Sequence, residues 1–420
     1  MTATSAEPAT PSSRSLGRPF LWLWNACAGS NLADGIYQVA LPVTAVQLGG
    51  GAGGVALVAA MSRVPWLLFA LFSGILVDRY DERLLMRIVN GVRVVVLGAV
   101  AVLLGLGQGS IPLLAAAAFL LGIAETVFDT AFHTTTPGLV PPAQLEKANS
   151  RLQAAEITTN QMAGPPLGGL LLGLTAALAF GATAVLYLAT VLALLALPRP
   201  DGRSAAAAAP GPGGVFRDIR AGLSFLVGHR TLLVYAVGVG LLNLAWAAVY
   251  AALPVFALRP GPLGLSSSAY GGLLMIAGVG GLAVGLLSAT ATARLGNRPC
   301  MALGLAGMSA GFLLPGLLPT TPALGVGMGC TGLLVLVNVV TVSYRQRTVP
   351  KELLGRVTSA YRLIAFGCLP VGSALAGLVG GHFGPRAVLL LAGSVVLATA
   401  IPMISATRPA PPPTEVLEAP

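Results

Sequence analysis

Long apolar runs fill this chain almost from end to end, and no other feature restricts its fold as much. An α-helix rises 1.5 Å per residue, so crossing a hydrocarbon core of roughly 30 Å takes about 20 apolar residues. Runs of that length fall at about 20–47, 53–77, 88–107, 112–135, 150–174 and 177–197. A second series falls at about 231–257, 269–292, 300–318, 322–344, 357–381 and 386–405. In lipid the backbone must pair its own N–H and C=O groups, so such runs fold as helices. The pattern predicts an all-α membrane protein with twelve transmembrane helices in two six-helix halves. Charge agrees, because 9% of the 420 residues are Asp, Glu, Lys or Arg, against about 25% in soluble domains. That scarcity excludes a soluble globular enzyme, and the Leu-, Val- and Ala-rich composition excludes a disordered chain.

The net charge of +10 does not point to nucleic acid, since no basic patch carries interleaved aromatics. The basic residues instead fall between apolar runs, where they set topology. With both termini cytoplasmic, all but five of the 24 Lys and Arg lie on that side. The five are Arg259 and Arg386 outside, and Arg63, Arg93 and Arg362 in or near spans. The expected organisation is a cytoplasmic tail over 1–18, a six-helix half over 19–197, a linker over 198–230, a second half over 231–405 and a tail over 406–420. The linker is Pro-, Gly- and Ala-rich, then amphipathic from Phe216 to His229. No cleavable signal peptide is expected, since the first apolar run is too long for one. Cys27, Cys300, Cys330 and Cys368 stand singly in apolar stretches, which argues against disulfides and metal sites.

The halves echo one another. Leu41-Pro42-Val43 returns as Leu253-Pro254-Val255, Arg79/Arg83 as Arg294/Arg298, Val140-Pro141 as Val349-Pro350, and Pro165 as Pro370. The offsets are 212, 215, 209 and 205. A parallel repeat of six-span units implies a binding cavity between them and rocking of one against the other.

The loop Gly74-Ile75-Leu76-Val77-Asp78-Arg79-Tyr80-Asp81-Glu82-Arg83, with the twelve spans and central linker, resembles the major facilitator superfamily over about residues 18–406. Three stretches are similar to its bacterial enterobactin-exporter and macrolide-efflux group: Asn31-Leu32-Ala33-Asp34-Gly35 with Ala40-Leu41-Pro42, Leu139-Val140-Pro141 leading to Ala148-Asn149-Ser150, and Gly355-Arg356-Val357. The resemblance implies a cytoplasmic gate at Gly74, Asp78, Arg79 and Arg83, where charges latch the outward-facing state. Glu82 departs from the family's usual basic residue, and in the second-half copy Ala293 stands where the acid should be. Gly164-Pro165-Pro166-Leu167-Gly168-Gly169 resembles the antiporter element of the superfamily, with Gly164, Pro165, Gly168 and Gly169 matching and Pro166 an extra proline. The alternative for this element is glycine-mediated packing alone.

Ionisable groups inside a membrane are costly and mark function by default. Those expected within spans are Asp34, Arg63, Arg93, Glu125 and Asp129, with Glu156 near a boundary. Glu125 and Asp129 share a helical face. Depth along the apolar runs suggests that Asp34 pairs with Arg63 and Arg93 with Asp129, leaving Glu125 the less compensated acid. These five groups are the expected proton-coupling set, with static ion pairs that fix helix register as the alternative. The second half has no acid within a span. Its expected cavity residues are Asn243, Trp246 and Tyr250 on one face and Asn338, with Asn31 opposite. Trp22 and Trp24 read as interfacial anchors.

The expected function is proton-driven export of an amphipathic or hydrophobic small molecule, such as an antibiotic, siderophore or other metabolite, from a monomer in the cell membrane. A proton-coupled importer and a lysophospholipid flippase are the alternatives on the same fold. No Walker loop, nucleophile triad or metal spacing is present, so neither an enzyme nor a bound cofactor is expected, and the proton gradient is the energy source.

Overall fold

The computed structural model describes residues 16–141, 144–197 and 212–407, with the side chains at 70, 71, 74, 75, 78, 212–219, 351 and 352 outside that description. These residues form helices joined by short connections. The first set is α1 (Gly17–Gln47), α2 (Gly51–Arg79), α3 (Glu82–Gly105), α4 (Ile111–Thr135), α5 (Leu145–Glu156), α6 (Gly164–Leu174) and α7 (Ala176–Leu195). Helix α8 (Pro212–Gly228) follows the linker. The second set is α9 (Arg230–Ala257), α10 (Ser267–Leu295), α11 (Asn297–Leu317), α12 (Thr321–Thr331), α13 (Leu334–Thr348), α14 (Lys351–Phe383) and α15 (Pro385–Ala406).

Helix starts follow local capping chemistry. Asp81 accepts the backbone N–H groups of Arg83 and Leu84, and Ser110, Thr175, Ser266 and Thr320 cap α4, α7, α10 and α12 in the same way. Asp81 starts α3 six residues before the apolar run becomes continuous. The amphipathic helix expected over Phe216–His229 is α8, and the tails and most of the linker lie outside the described residues.

Among the described residues ten helices are long and apolar enough to cross a membrane by length and composition, with α12 and α13 taken together as one over Thr321–Thr348. Helix α1 falls short because it carries Asn25, Ser30, Asn31, Asp34, Tyr37 and Gln38 along its length. Two expected spans are interrupted. The run at 150–174 divides into α5, a π-helical segment over Ile157–Ala163, and α6. The run at 322–344 divides at Gly332 into α12 and α13. The π segment has a clear cause in Pro165 and Pro166. Neither proline has an N–H, so the carbonyls of Gln161 and Met162 lose their α-helical donors and the turn before them widens.

Packing repeats across the two sets. Helix α1 packs on α7 as α9 packs on α15, and α3 packs on α7 as α11 packs on α15. Across the sets, α2 lies on α14 as α6 lies on α10. We call the end where α1 begins the near end and the opposite one the far end. Close approaches between the sets fall toward the far end. A Cβ on Gly377 or Gly380 of α14 would lie 2.8 or 3.2 Å from Ala56 or Ala52, at the start of α2. A Cβ on Gly169 would lie 3.1 Å from Cα of Ser268, at the start of α10. Small residues bring the backbones together here. Leu286, Phe383 and Ile401 are about three-quarters exposed, as lipid-facing residues are.

Candidate functional site

A cavity of 570 Å³ opens between the two sets. The first set contributes Tyr37 and Gln38 from α1, Arg63 from α2, Glu125 from α4 and Asn160 and Gln161 from the π segment. The second contributes Trp246 and Tyr250 from α9, Tyr270 from α10, Asn338 from α13 and Ser373 from α14.

Behind the wall formed by α1 lies a buried charge centre. Arg93 is 1% exposed and Asp34 7%. They form the single ion pair among the described residues, with Nη1 and Oδ1 3.9 Å apart. Tyr187 of α7 donates to Asp34 Oδ1 at 2.5 Å. Arg93 Nη1 donates to Ser30 Oγ at 3.2 Å and Asn90 Oδ1 at 3.3 Å. The rings of Tyr187 and Phe128 lie 4.9 and 5.3 Å from the guanidinium carbon. Much of the cation is thus held by aromatic faces, and Nε and Nη2 have no hydrogen-bond partner among the described residues.

This arrangement corrects both expected pairings. Asp34 pairs with Arg93, not Arg63, and Arg93 does not pair with Asp129. The error came from where α3 begins. Starting at Glu82, the helix carries Arg93 eleven residues inward, roughly 16 Å at 1.5 Å per residue, level with Ser30 and Asp34. Asp129 is half-buried and takes no hydrogen bond or ion pair among the described residues.

Glu125 stands on the cavity wall and accepts the Tyr37 hydroxyl at 2.9 Å. Tyr37 is one turn after Asp34 on the same face of α1, so its bond to Glu125 brings the two acids to one short stretch of the helix. Arg63 reaches across to the second set, its guanidinium carbon 5.6 Å from the centre of the Trp246 ring. Trp246 stacks on Tyr250 at 4.2 Å between centroids with the planes 25° apart.

The π segment is clamped between glycines. A Cβ on Gly278 of α10 would lie 2.9 Å from Gln161 O, and one on Gly35 of α1 would lie 2.9 Å from Cα of Gly164. Of the antiporter-like element, Pro165 lines the cavity and a Cβ on Gly271 would lie 3.0 Å from its carbonyl carbon. Gly168 packs on Ile36, where a Cβ would lie 2.9 Å from the carbonyl oxygen.

Other expected residues have local work. Asn31 donates to Cys27 O at 3.0 Å and is not among the residues lining the cavity. Asn243 likewise turns away, donating to Ala365 O at 2.8 Å and tying α9 to α14. Trp24 donates to Arg151 O at 3.3 Å, and Trp22 is exposed. In the gate motif, Arg83 donates to Leu197 O at 3.4 Å, while Arg87 Nη2 reaches Leu194 O at 2.8 Å, so both close off the end of α7. Arg79 is exposed, and the side chains of Gly74 and Asp78 lie outside the described residues.

Tyr37, Tyr187, Ser30, Asn90, Asn160 and Gln161 belong to the site without having been expected. Thr183, Tyr187 and Thr190 fall at i, i+4 and i+7 in an otherwise apolar helix, and that polar stripe was the available signal.

Helices paired in this pattern around a central cavity form a membrane-transporter fold. The chain superposes on a mutant form of the nucleoside transporter NupG with a TM-score of 0.77 at 14% identity, covering 93% of this chain and 100% of that one. A bacterial homologue of the iron transporter ferroportin, in an inward-facing state, gives 0.71 at 16% identity over 94% and 100% of the two chains. At these identities the likeness is one of fold. The chain belongs to the transmembrane secretion effector family, which matches residues 11–415, and is a major facilitator superfamily transporter of the efflux group. The multidrug efflux pump Tap of Mycobacterium tuberculosis is 26% identical over 392 residues, covering 88% of each chain. Macrolide efflux protein A of Streptococcus pyogenes is 22% identical over 409 residues, covering 93% of this chain and 96% of that one.

Proposed function

We propose that this protein exports amphipathic or hydrophobic small molecules across the cell membrane by proton antiport. Counting α1 and the α5–α6 column as spans gives twelve in two halves of six, with the near end cytoplasmic by the positive-inside rule. On that orientation, the far-end contacts describe a state closed to the outside.

One observation carries the reading: two acids with different exposure, Asp34 of α1 and Glu125 of α4, meet at one turn of α1 through Tyr37. Asp34 is buried with Arg93 and Tyr187, while Glu125 lines the cavity through its bond from Tyr37. Asp34 is the proton carrier, because a buried carboxylate beside a fixed cation changes its net charge when it binds a proton. Glu125 faces the substrate, and Tyr37 joins the two. Arg93 is the partner of Asp34 in this state, and Asp129 and Glu156 lie toward the cytoplasm.

Everted vesicles with rhodamine 6G added to the bath test this. Under an imposed pH gradient, Asp34→Asn abolishes proton-driven uptake of dye into the vesicle lumen and retains dye exchange without a gradient. Unchanged gradient-driven transport in that variant overturns the proton assignment. Greater dye accumulation in intact cells overexpressing the protein overturns export in favour of import.

A further inference from the structure

The charges of the cavity define a class of substrate. Arg63 and Glu125 belong to neighbouring helices that cross at Gly122, where a Cβ would lie 2.9 Å from the carbonyl oxygen of Ser62. Arg63 is twelve residues from the far-end start of α2 and Glu125 fourteen from that of α4, roughly 18 and 21 Å deep. The crossing therefore sets opposite charges at one level, near the middle of the bilayer. They do not neutralise each other, because the single ion pair among the described residues is that of Arg93 with Asp34. Glu125 is bonded by one tyrosine hydroxyl. Arg63 rests on Trp246, and its guanidinium, with five N–H donors, makes no hydrogen bond or ion pair to the other described residues. Unpaired charges of both signs at this depth are expensive unless a ligand completes them. Facing them, the stacked rings of Trp246 and Tyr250 offer a flat apolar wall.

We infer that the preferred substrate is a planar aromatic zwitterion, with an anionic group for Arg63, a cationic group for Glu125 and a ring system against Trp246 and Tyr250. This rests on the reading of the cavity as the substrate site. It narrows the amphipathic class to molecules bearing both charges.

Three xanthene dyes with one ring system and different charges provide the test: zwitterionic rhodamine B, its cationic ethyl ester and anionic fluorescein. Binding to the purified full-length protein in detergent is followed by fluorescence anisotropy. Removing one charge-assisted hydrogen bond from a desolvated site lowers affinity about tenfold, so rhodamine B binds about tenfold tighter than either of the others. Arg63→Gln lowers the ratio of rhodamine B to ester affinity toward one, and Arg63→Lys restores it in part. Glu125→Gln lowers the ratio of rhodamine B to fluorescein affinity. A melting profile of each variant reports its folding, and the wild-type ranking stands without any variant. Ester binding equal to or tighter than that of rhodamine B in the wild type overturns the inference, as does no binding of rhodamine B. Export of all three dyes at equal rates leaves the export reading standing and overturns this one. The expected ranking in a protein that raises dye accumulation does the reverse.

Discussion

Each set of helices holds one buried arginine against aromatic rings, and the two are treated differently. Arg93 in the first set lies between Tyr187 and Phe128 and also has a carboxylate, Asp34. Arg345 in the second set is 8% exposed and lies over Tyr361, with the guanidinium carbon 4.3 Å from the ring centre. Its Nη1 has no hydrogen-bond partner among the described residues. The sequence around it offers few acids, with Glu352 the single one between Asp218 and Glu415. An aromatic face can hold a cation in place, but it cannot release that hold by taking up a proton. The first set therefore contains an ion pair and the second a cation held by an aromatic face, although the packing of both is alike.

The largest expected effect separates these arginines. Arg93→Leu leaves Asp34 buried and unpaired, and lowers stability by about 3–5 kcal/mol. Arg345→Leu leaves no orphaned carboxylate and lowers it by about 0.5–2 kcal/mol, the worth of a cation–aromatic contact. Thermal unfolding of the two purified variants measures the difference, and equal losses would dissolve the contrast. Adding Asp34→Asn to Arg93→Leu recovers part of the stability without recovering gradient-driven transport.

A smaller effect compares two glycines at helix contacts. Gly35 lies in α1 and Gly240 in α9. A Cβ on Gly35 would meet backbone, with Cα of Gly164 at 2.9 Å, while one on Gly240 would meet Cys368 Sγ at 3.2 Å first and the Ile364 carbonyl oxygen at 3.3 Å. Gly35→Ala is expected to lower stability by about 1–3 kcal/mol, and Gly240→Ala by less, since a side chain yields more easily than a main chain. Melting temperatures in one detergent give the order, and a reversed order refutes the clamp on the π segment.

The smallest effect concerns the asparagines. Asn243→Ala removes a hydrogen bond between α9 and α14, lowering stability by about 1 kcal/mol, and Asn31→Ala removes one within α1. Neither is expected to change the ranking of transported dyes, whereas Trp246→Leu does. A shift in substrate preference in Asn31→Ala would return that residue to the cavity.

The sequence made the helices, the uneven placement of acids and the aromatic wall legible, because each is a local pattern. It misled on partners. Apolar continuity marked the start of the third span at 88, but a helix starts where its cap is, and Asp81 supplied one. That shift moved Arg93 from the boundary to the charge centre. The contact of Arg63 with Trp246 joins positions 183 residues apart, beyond the reach of any periodicity. The π segment had a visible cause in Pro165-Pro166, yet nothing local said that its widened turn would be held by glycines on two other helices.

The far-end contact between the sets is made largely of glycine, alanine and main chain: Ala52 with Gly380, Ala56 with Gly377, Gly169 with Gly271. Glycine and alanine have no rotamers to freeze, and lipid tails offer apolar surfaces nearly the same environment on either side of such a seam. Parting these faces therefore frees almost no side-chain disorder, and closing them consumes almost none. On the transport reading proposed above, such a seam would act as a smooth bearing, leaving the balance between open and closed positions to the few charged groups at the centre of the molecule.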